Sequence, residues 1–97
     1  MPIVQIIEMK TSRLKELDAL IDELRSNRER AGRPTRAMTC TDRDRPGYVV
    51  SIVEFPSEEA VAASNNDPLV KQAAEKLAAL CEGAPKFYNL DVHRTMD

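Results

Sequence analysis

The segment from Tyr48 to Phe55 (YVVSIVEF) constrains the fold most, because it is rich in β-branched residues and apolar on both faces. Such residues favour extended backbone, and their side chains alternate between the two faces of a sheet. A strand that is apolar on both faces lies in the middle of a sheet. One face carries Val49, Val53 and Phe55, and the other carries Val50 and Ile52.

Three further segments have strand character. Pro2 to Lys10 (PIVQIIEMK) is also apolar on both faces and predicts a second central strand. Thr35 to Thr41 and Lys86 to Arg94 alternate between apolar and polar residues, which is typical of edge strands with one solvated face. In the last of these, Tyr88 and the residues at two-residue spacing share a face opposite to Asn89.

Helical segments separate these strands. After Ser12, a predicted cap, an apolar stripe at spacings of three and four predicts a helix that ends at Gly32 and Pro34. The stripe consists of Leu14, Leu17, Ile21 and Leu24. Ser57 caps a second helix, which breaks near Asn65 and Asn66. Asp67 followed by Pro68 predicts the start of a third helix, which carries Leu69, Val70, Ala73, Leu77, Leu80 and Cys81 inward and stops at Gly83 and Pro85.

The predicted order is β-α-β-β-α-β with a split second helix, which is the ferredoxin-like α+β pattern with an antiparallel four-stranded sheet. In that topology the first and third strands are central, in agreement with their apolar faces. The helices can cover only one face of the sheet. The other face is apolar enough to need burial, so we predict a homodimer in which two sheets pack against each other.

Composition limits the classes of protein and partner. Ninety-seven residues predict one domain spanning 1–97, and 42% hydrophobic with 31% charged residues is typical of a globular chain. A net charge of −2 predicts no nucleic-acid partner. No apolar run is long enough for a membrane span, no leader pattern opens the chain, and two separated cysteines make no disulfide framework. These features predict a cytoplasmic protein with reduced thiols.

The charges are unevenly distributed. Between Arg25 and Arg45 the chain holds seven arginines, at positions 25, 28, 30, 33, 36, 43 and 45. They favour one of two interpretations: a solvated surface beside a helix C-terminus, or a rim that binds anions.

Familiar catalytic motifs are missing from the sequence. Three glycines do not make a phosphate-binding loop, and one histidine with two distant cysteines does not make a standard metal site. We therefore predict no haem, flavin or metal cofactor. His93 lies near the end of the last predicted strand, and either solvent exposure or a catalytic role is open to it.

The candidate ligand-binding residues are Glu54, Asn65 and Asn66. A helix that breaks at the two asparagines leaves backbone polar groups in need of partners. The third strand runs directly into this helical region, which predicts that Glu54 lies near it. The sequence thus predicts a pocket between the sheet and the split helix, in which Glu54 either exchanges a proton with a bound molecule or remains an ordinary surface acid.

The stretch GYVVSIVEFPSEEAVAASNNDPLVKQAAEKLAAL, followed by FYNLDV, resembles the antibiotic-biosynthesis-monooxygenase superfamily of dimeric α+β barrels. The similar features are a strand ending in Glu-Phe, a capped helix that begins with Ser57, Glu59 and Ala60, a break, a second helix and a short final strand. The resemblance implies a dimer with a pocket between sheet and helices in each subunit. Some members oxidise aromatic or quinol-type molecules without metal or flavin, others degrade haem, and many have no assigned activity.

The chain departs from these relatives at two places. It has no tryptophan, and Ala73 or Ala74 stands where haem-degrading relatives carry a helix histidine. Asp67, Pro68 and Leu69 stand where many quinol-oxidising relatives carry a histidine. Two hypotheses follow: a cofactor-independent oxygenase acting on a small, mostly apolar molecule, or a non-catalytic dimeric protein that binds such a molecule in the same pocket. A proton-accepting group in the pocket favours the first.

Overall fold

The computed structural model describes residues 2–26 and 32–96, and its elements follow the predicted order. The strands are β1 (Ile3–Lys10), β2 (Arg36–Thr41), β3 (Tyr48–Phe55) and β4 (Lys86–Asp91), and the helices are α1 (Leu14–Ser26), α2 (Glu58–Asn66) and α3 (Pro68–Leu80). The predicted β-α-β-β-α-β order with a split second helix is confirmed.

The four strands form one antiparallel sheet in the order β2-β3-β1-β4. The two central strands are those that the sequence predicted from their apolar faces. Ile3 pairs with Phe55, and the pairing continues without interruption to Lys10 opposite Tyr48. Directly paired residues share a face of the sheet, so this register assigns every strand residue to one face or the other.

One face of the sheet packs against the helices. Met9, Leu17 and Val49 form the buried centre of this core, and partly buried side chains from β1, α1 and α3 surround them. Those surrounding residues are Ile7, Ile21, Leu77, Leu80 and Cys81. Burial of these apolar side chains is the main source of stability for the sheet and helix layers.

The opposite face, called the open face below, carries no helix among the described residues. Pairing places on it Val4, Ile6, Met38, Cys40, Val50, Ile52, Tyr88 and Leu90. Met38 and Leu90 remain 40% and 45% exposed. An apolar surface of this kind is typical of a contact with another molecule.

Two of the three predicted helix caps are confirmed. The Ser57 hydroxyl accepts a hydrogen bond from the N–H of Ala60 at 3.2 Å, and the Asp67 carboxylate accepts one from the N–H of Leu69 at 2.9 Å. The cap predicted at Ser12 is wrong. The hydroxyl of buried Thr11 instead accepts from the N–H of Arg13 at 3.0 Å, and it donates to the carbonyl of Leu80 at 2.7 Å.

Three other details differ from the sequence prediction. Leu20, outside the predicted stripe, is buried, whereas Leu69 is 38% exposed. Helix α3 ends at Leu80, because Cys81 is extended and its N–H bonds to the carbonyl of Ala78. The last strand ends at Asp91 rather than Arg94. Its neighbour β1 ends there too, and the final bond of this edge runs from the N–H of Val92 to the carbonyl of Pro2 at 3.2 Å.

Gly32 ties the chain after α1 to helix α2. Its φ is +69°, a conformation that favours glycine. A Cβ atom at this position would lie 2.3 Å from the carbonyl oxygen of Ala60 and 2.4 Å from the nitrogen of Ser64. Both are backbone atoms, so glycine is needed for this close approach. The predicted continuation of α1 towards Gly32 crosses 27–31, which lie outside the described residues.

Candidate functional site

The structure places the three predicted ligand-binding residues on different surfaces. Glu54 pairs with Val4 and Arg36, so its side chain lies on the open face, away from the helices. Asn65 and Asn66 are the exposed last residues of α2. The chain therefore brings Glu54 together with groups other than the asparagines.

The break between α2 and α3 is closed by Asp67. Its backbone N–H donates to the carbonyl of Ser64 at 3.1 Å, its carbonyl accepts from Lys71 at 3.1 Å, and its side chain caps α3. One residue thus ends one helix and starts the next. Several backbone groups that the sequence left in need of partners find them within the junction itself.

A depression of about 380 Å³ surrounds Glu54 on the open face. This volume lies at the lower end of the range of small-molecule sites. Its walls come from β1, β2 and β3 and from the chain that follows β4. The lining residues are Val4, Arg36, Met38, Ile52, Glu54, Val92, Arg94, Thr95 and Met96.

The charged groups of this depression have no ionic partners. Within residues 2–26 and 32–96, no salt bridge or side-chain hydrogen bond involves Arg36, Glu54 or Arg94. The two guanidinium groups and one carboxylate give this end of the open face a local charge of +1. Sequence inspection did not find this group, because residues 36, 54 and 94 meet only through the strand order. We call these three residues the unpaired cluster.

At the other end of the open face, Arg45 joins a fully paired cluster. Its guanidinium donates to Asp42 at 2.8 Å and to Glu8 at 3.1 Å, and it lies 4.3 Å from the ring centre of Tyr48. A hydrogen bond from the Arg45 guanidinium holds the pKa of Asp42 below its usual range. Of the predicted seven-arginine rim, Arg45 thus has a structural role. Arg28 and Arg30 lie outside the described residues.

The helix-facing side of β1 and β4 carries a polar strip at the uncovered edge of the sheet. The side-chain amide of Gln5 donates to the side-chain oxygen of Asn89 at 3.1 Å. Asp91, two residues further along β4, is exposed on the same face, and Phe87 on its other side is 51% exposed. The strip thus combines hydrogen-bonding groups, an acid and an aromatic ring. The sequence grouped Asn89 and Asp91 by alternation, and the structure adds Gln5.

The other residues considered for chemistry have structural surroundings. Burial raises the pKa of the Cys81 thiol, which is consistent with a place in the core. Cys40 is half-buried on the open face. His93 is exposed beyond the end of β4. Among the described residues, no group of three or more histidines, cysteines and acids has metal-binding geometry.

Three solved structures show the same fold over almost the whole chain. SnoaB, a cofactor-independent oxygenase from Streptomyces nogalater, was compared as its N63A mutant. It superposes with a TM-score of 0.82 at 14% identity, covering 98% of this chain and 96% of that one. An antibiotic biosynthesis monooxygenase gives 0.73 at 16% identity, covering 97% and 100%. A dimeric ferredoxin-like protein of unknown function from Jannaschia sp. CCS1 gives 0.74 at 20% identity, covering 95% and 100%.

These similarities confirm, at the level of the fold, the resemblance to the antibiotic-biosynthesis-monooxygenase superfamily. The chain has a monooxygenase-like, ferredoxin-like α+β fold. No protein-family model matches the sequence. No curated protein sequence matches it either. Across 2–26 and 32–96, no helix has both the length and the apolar character required to cross a bilayer.

Proposed function

We propose that the protein is a homodimeric oxygenase that oxidises a small aromatic or quinol-type molecule without a cofactor, between its sheet and its helices. The observation that carries this proposal is the polar strip on the helix-facing side, where Gln5 and Asn89 form a hydrogen-bonded amide pair beside Asp91. The fold shared with SnoaB, a cofactor-independent oxygenase, supports the reaction class.

The reaction needs a proton acceptor and a group that stabilises an anion, because O2 reacts with the deprotonated form of an electron-rich ring. Asp91 is the proposed acceptor of the substrate hydroxyl proton. An amide N–H of the neighbouring pair stabilises the resulting oxyanion, as Asn and Gln side chains do in oxyanion holes. Exposed Phe87 offers an apolar surface to the ring. Asn65 and Asn66 are proposed contacts from the end of α2.

The substrate supplies all the electrons in this scheme. The ring loses its hydroxyl proton and the hydrogen of one ring carbon, and that carbon gains one oxygen atom from O2. The second oxygen atom leaves as water with the two hydrogens, and the ring becomes a quinone. The products balance without an external reductant, so neither a flavin nor a metal is required as an electron source.

The homodimer in this proposal forms through the open face. Its apolar side chains alternate across all four strands, and two sheets packed face to face bury such surfaces. The dimeric ferredoxin-like protein from Jannaschia sp. CCS1 has the same fold, which supports this arrangement. Light scattering at micromolar concentration tests it, and a monomer would contradict it.

The activity is tested by oxygen uptake with a panel of hydroxylated naphthalenes and anthracenes as substrates. We expect one O2 consumed per quinone formed, unchanged by EDTA. Replacement of Asp91 by Asn is expected to reduce kcat by about 100-fold, the usual size of a lost general base. The matched control is Asp44→Asn, which removes an exposed acid from the β2–β3 turn and leaves kcat unchanged.

The same measurements distinguish the second candidate, a non-catalytic binding protein. That function is favoured by the depression on the open face, where lining residues surround a volume suited to a small molecule. Binding of the aromatic panel without oxygen uptake would establish it and contradict the oxygenase. A haem or flavin absorption band in the purified protein would contradict both forms of the proposal.

A further inference from the structure

We infer that the unpaired cluster is a binding site for a small organic anion, a carboxylate or sulfonate with an apolar body. The site is the depression on the open face, on the opposite side of the sheet from the strip assigned to oxidation. It stands independently of that reaction.

The charge of the cluster argues for an anion. Arg36 and Arg94 reach the same depression from β2 and from the chain after β4, positions 58 residues apart in the sequence. Neither has an ionic partner among the described residues. Two guanidinium groups around one cavity are suited to carboxylate or sulfonate oxygens, which they bind through paired N–H donors.

The walls of the depression argue for an apolar body on that anion. Val4, Ile52 and Val92 provide branched apolar surface, and Met38 and Met96 are 40% and 79% exposed beside it. Exposed methionine side chains are flexible and polarisable, so they adapt to aromatic or aliphatic groups. A purely inorganic anion would leave this apolar surface in water.

Glu54 gives the site its selectivity. Its carboxylate lies on the same face as Arg36, its direct cross-strand partner, yet the two form no salt bridge. A bound anion would experience two favourable charges and one unfavourable charge. Removal of Glu54 should therefore tighten anion binding, whereas removal of either arginine should weaken it.

The position of the depression is compatible with the proposed dimer. It lies at the end of the open face where β3 finishes and the C-terminal segment begins. Val92 is held there by its bond to the carbonyl of Pro2. Contact between two sheets across the middle of the open face leaves this end as the rim, so each protomer carries its own site.

The test uses two fluorescent probes that differ by one charged group: 8-anilinonaphthalene-1-sulfonate and its neutral analogue N-phenyl-1-naphthylamine. For the sulfonate we expect one molecule bound per chain of the dimer. Arg36→Gln and Arg94→Gln are each expected to weaken its binding about tenfold, the effect of losing one charged hydrogen bond. Glu54→Gln is expected to strengthen it severalfold. The neutral probe should not distinguish these variants.

Arg43→Gln is the matched control, since it removes an exposed arginine outside the depression and should leave both probes unaffected. Circular dichroism verifies the fold of each variant. In wild-type protein, about 1 M salt should weaken the sulfonate but not the neutral probe. Equal loss of both probes in the arginine variants would identify an apolar patch and overturn the proposal. Sulfonate binding that is absent from the dimer, or unchanged in both arginine variants, would also overturn it.

Discussion

The two ends of the open face contain the same kinds of charged residues in opposite states. At one end Arg45 contacts Glu8, Asp42 and the ring of Tyr48 at once. At the other end Arg36, Glu54 and Arg94 line one depression without a salt bridge among the described residues. Four residues of β1 separate Glu8 from Val4, the partner of Glu54, so the ends are about 13 Å apart.

The difference separates structural charge from available charge. Arg45 spends its hydrogen-bond donors on groups of its own chain, which fixes the β2–β3 turn against the sheet. Arg36 and Arg94 retain donors that can be directed towards another molecule. Charged groups of equal number therefore indicate different roles, and the pattern of pairing distinguishes them.

The largest expected effect comes from the apolar region between the two ends. Ile52→Lys places a charge in the middle of the open face, where the proposed dimer buries its surface, and burial of an unpaired charge is costly. We expect a monomer at micromolar concentration by light scattering. Leu69→Lys, at an exposed apolar position on α3, is the control and should remain dimeric. A dimeric Ile52→Lys protein would mean that the two ends do not flank an interface.

The helix break provides a scale for losses of structural polar contacts. Asp67 caps α3 through its bond to the N–H of Leu69. Asp67→Ala is expected to lower the free energy of unfolding by about 1 kcal/mol, the usual effect of a lost cap. Urea denaturation measures it, with Asp67→Asn as the variant that retains a capping oxygen. Equal midpoints for wild type and Asp67→Ala would contradict this role.

The paired end should respond to substitution more than the unpaired end does. Arg45→Gln is expected to lower the Tm, by less than Asp67→Ala, because its contacts are exposed to solvent. Arg36→Gln should leave the Tm unchanged, since no partner among the described residues is lost. Calorimetry on the two variants side by side tests the comparison directly. A larger loss for Arg36→Gln would reverse it.

The smallest effect expected is a pH dependence at the paired end. Arg45 lowers the pKa of Asp42 below its ordinary value of 3.8, so the ionised form is favoured in the folded protein. The resulting stability is present above that ordinary value and disappears as the pH falls through the lowered one. The Tm difference between wild type and Asp42→Asn should therefore be found at neutral pH and vanish in acid. A difference that persists in acid would assign the effect to something other than charge.

Local features of the sequence predicted the elements and most of their ends. The apolar faces of β1 and β3 identified the central strands, and the pairs Ser57–Glu58 and Asp67–Pro68 located two helix starts within one residue. These features succeed because periodicity and capping act over a few neighbouring residues. Ser12 failed as a cap because Thr11 is held by α3, and the carbonyl it reaches lies 69 residues away.

The sequence by itself determined the layers and the strand order, because both depend on which segments are apolar on one face or on two. Only the tertiary structure decided the company that Glu54 keeps. Its closeness to α2 along the chain suggested a place near the helices, but Phe55 beside it takes the helix-facing position and alternation turns Glu54 to the other face. The neighbours that define both candidate sites, Gln5 with Asn89 and Arg36 with Arg94, come from distant segments that meet through the pairing of strands.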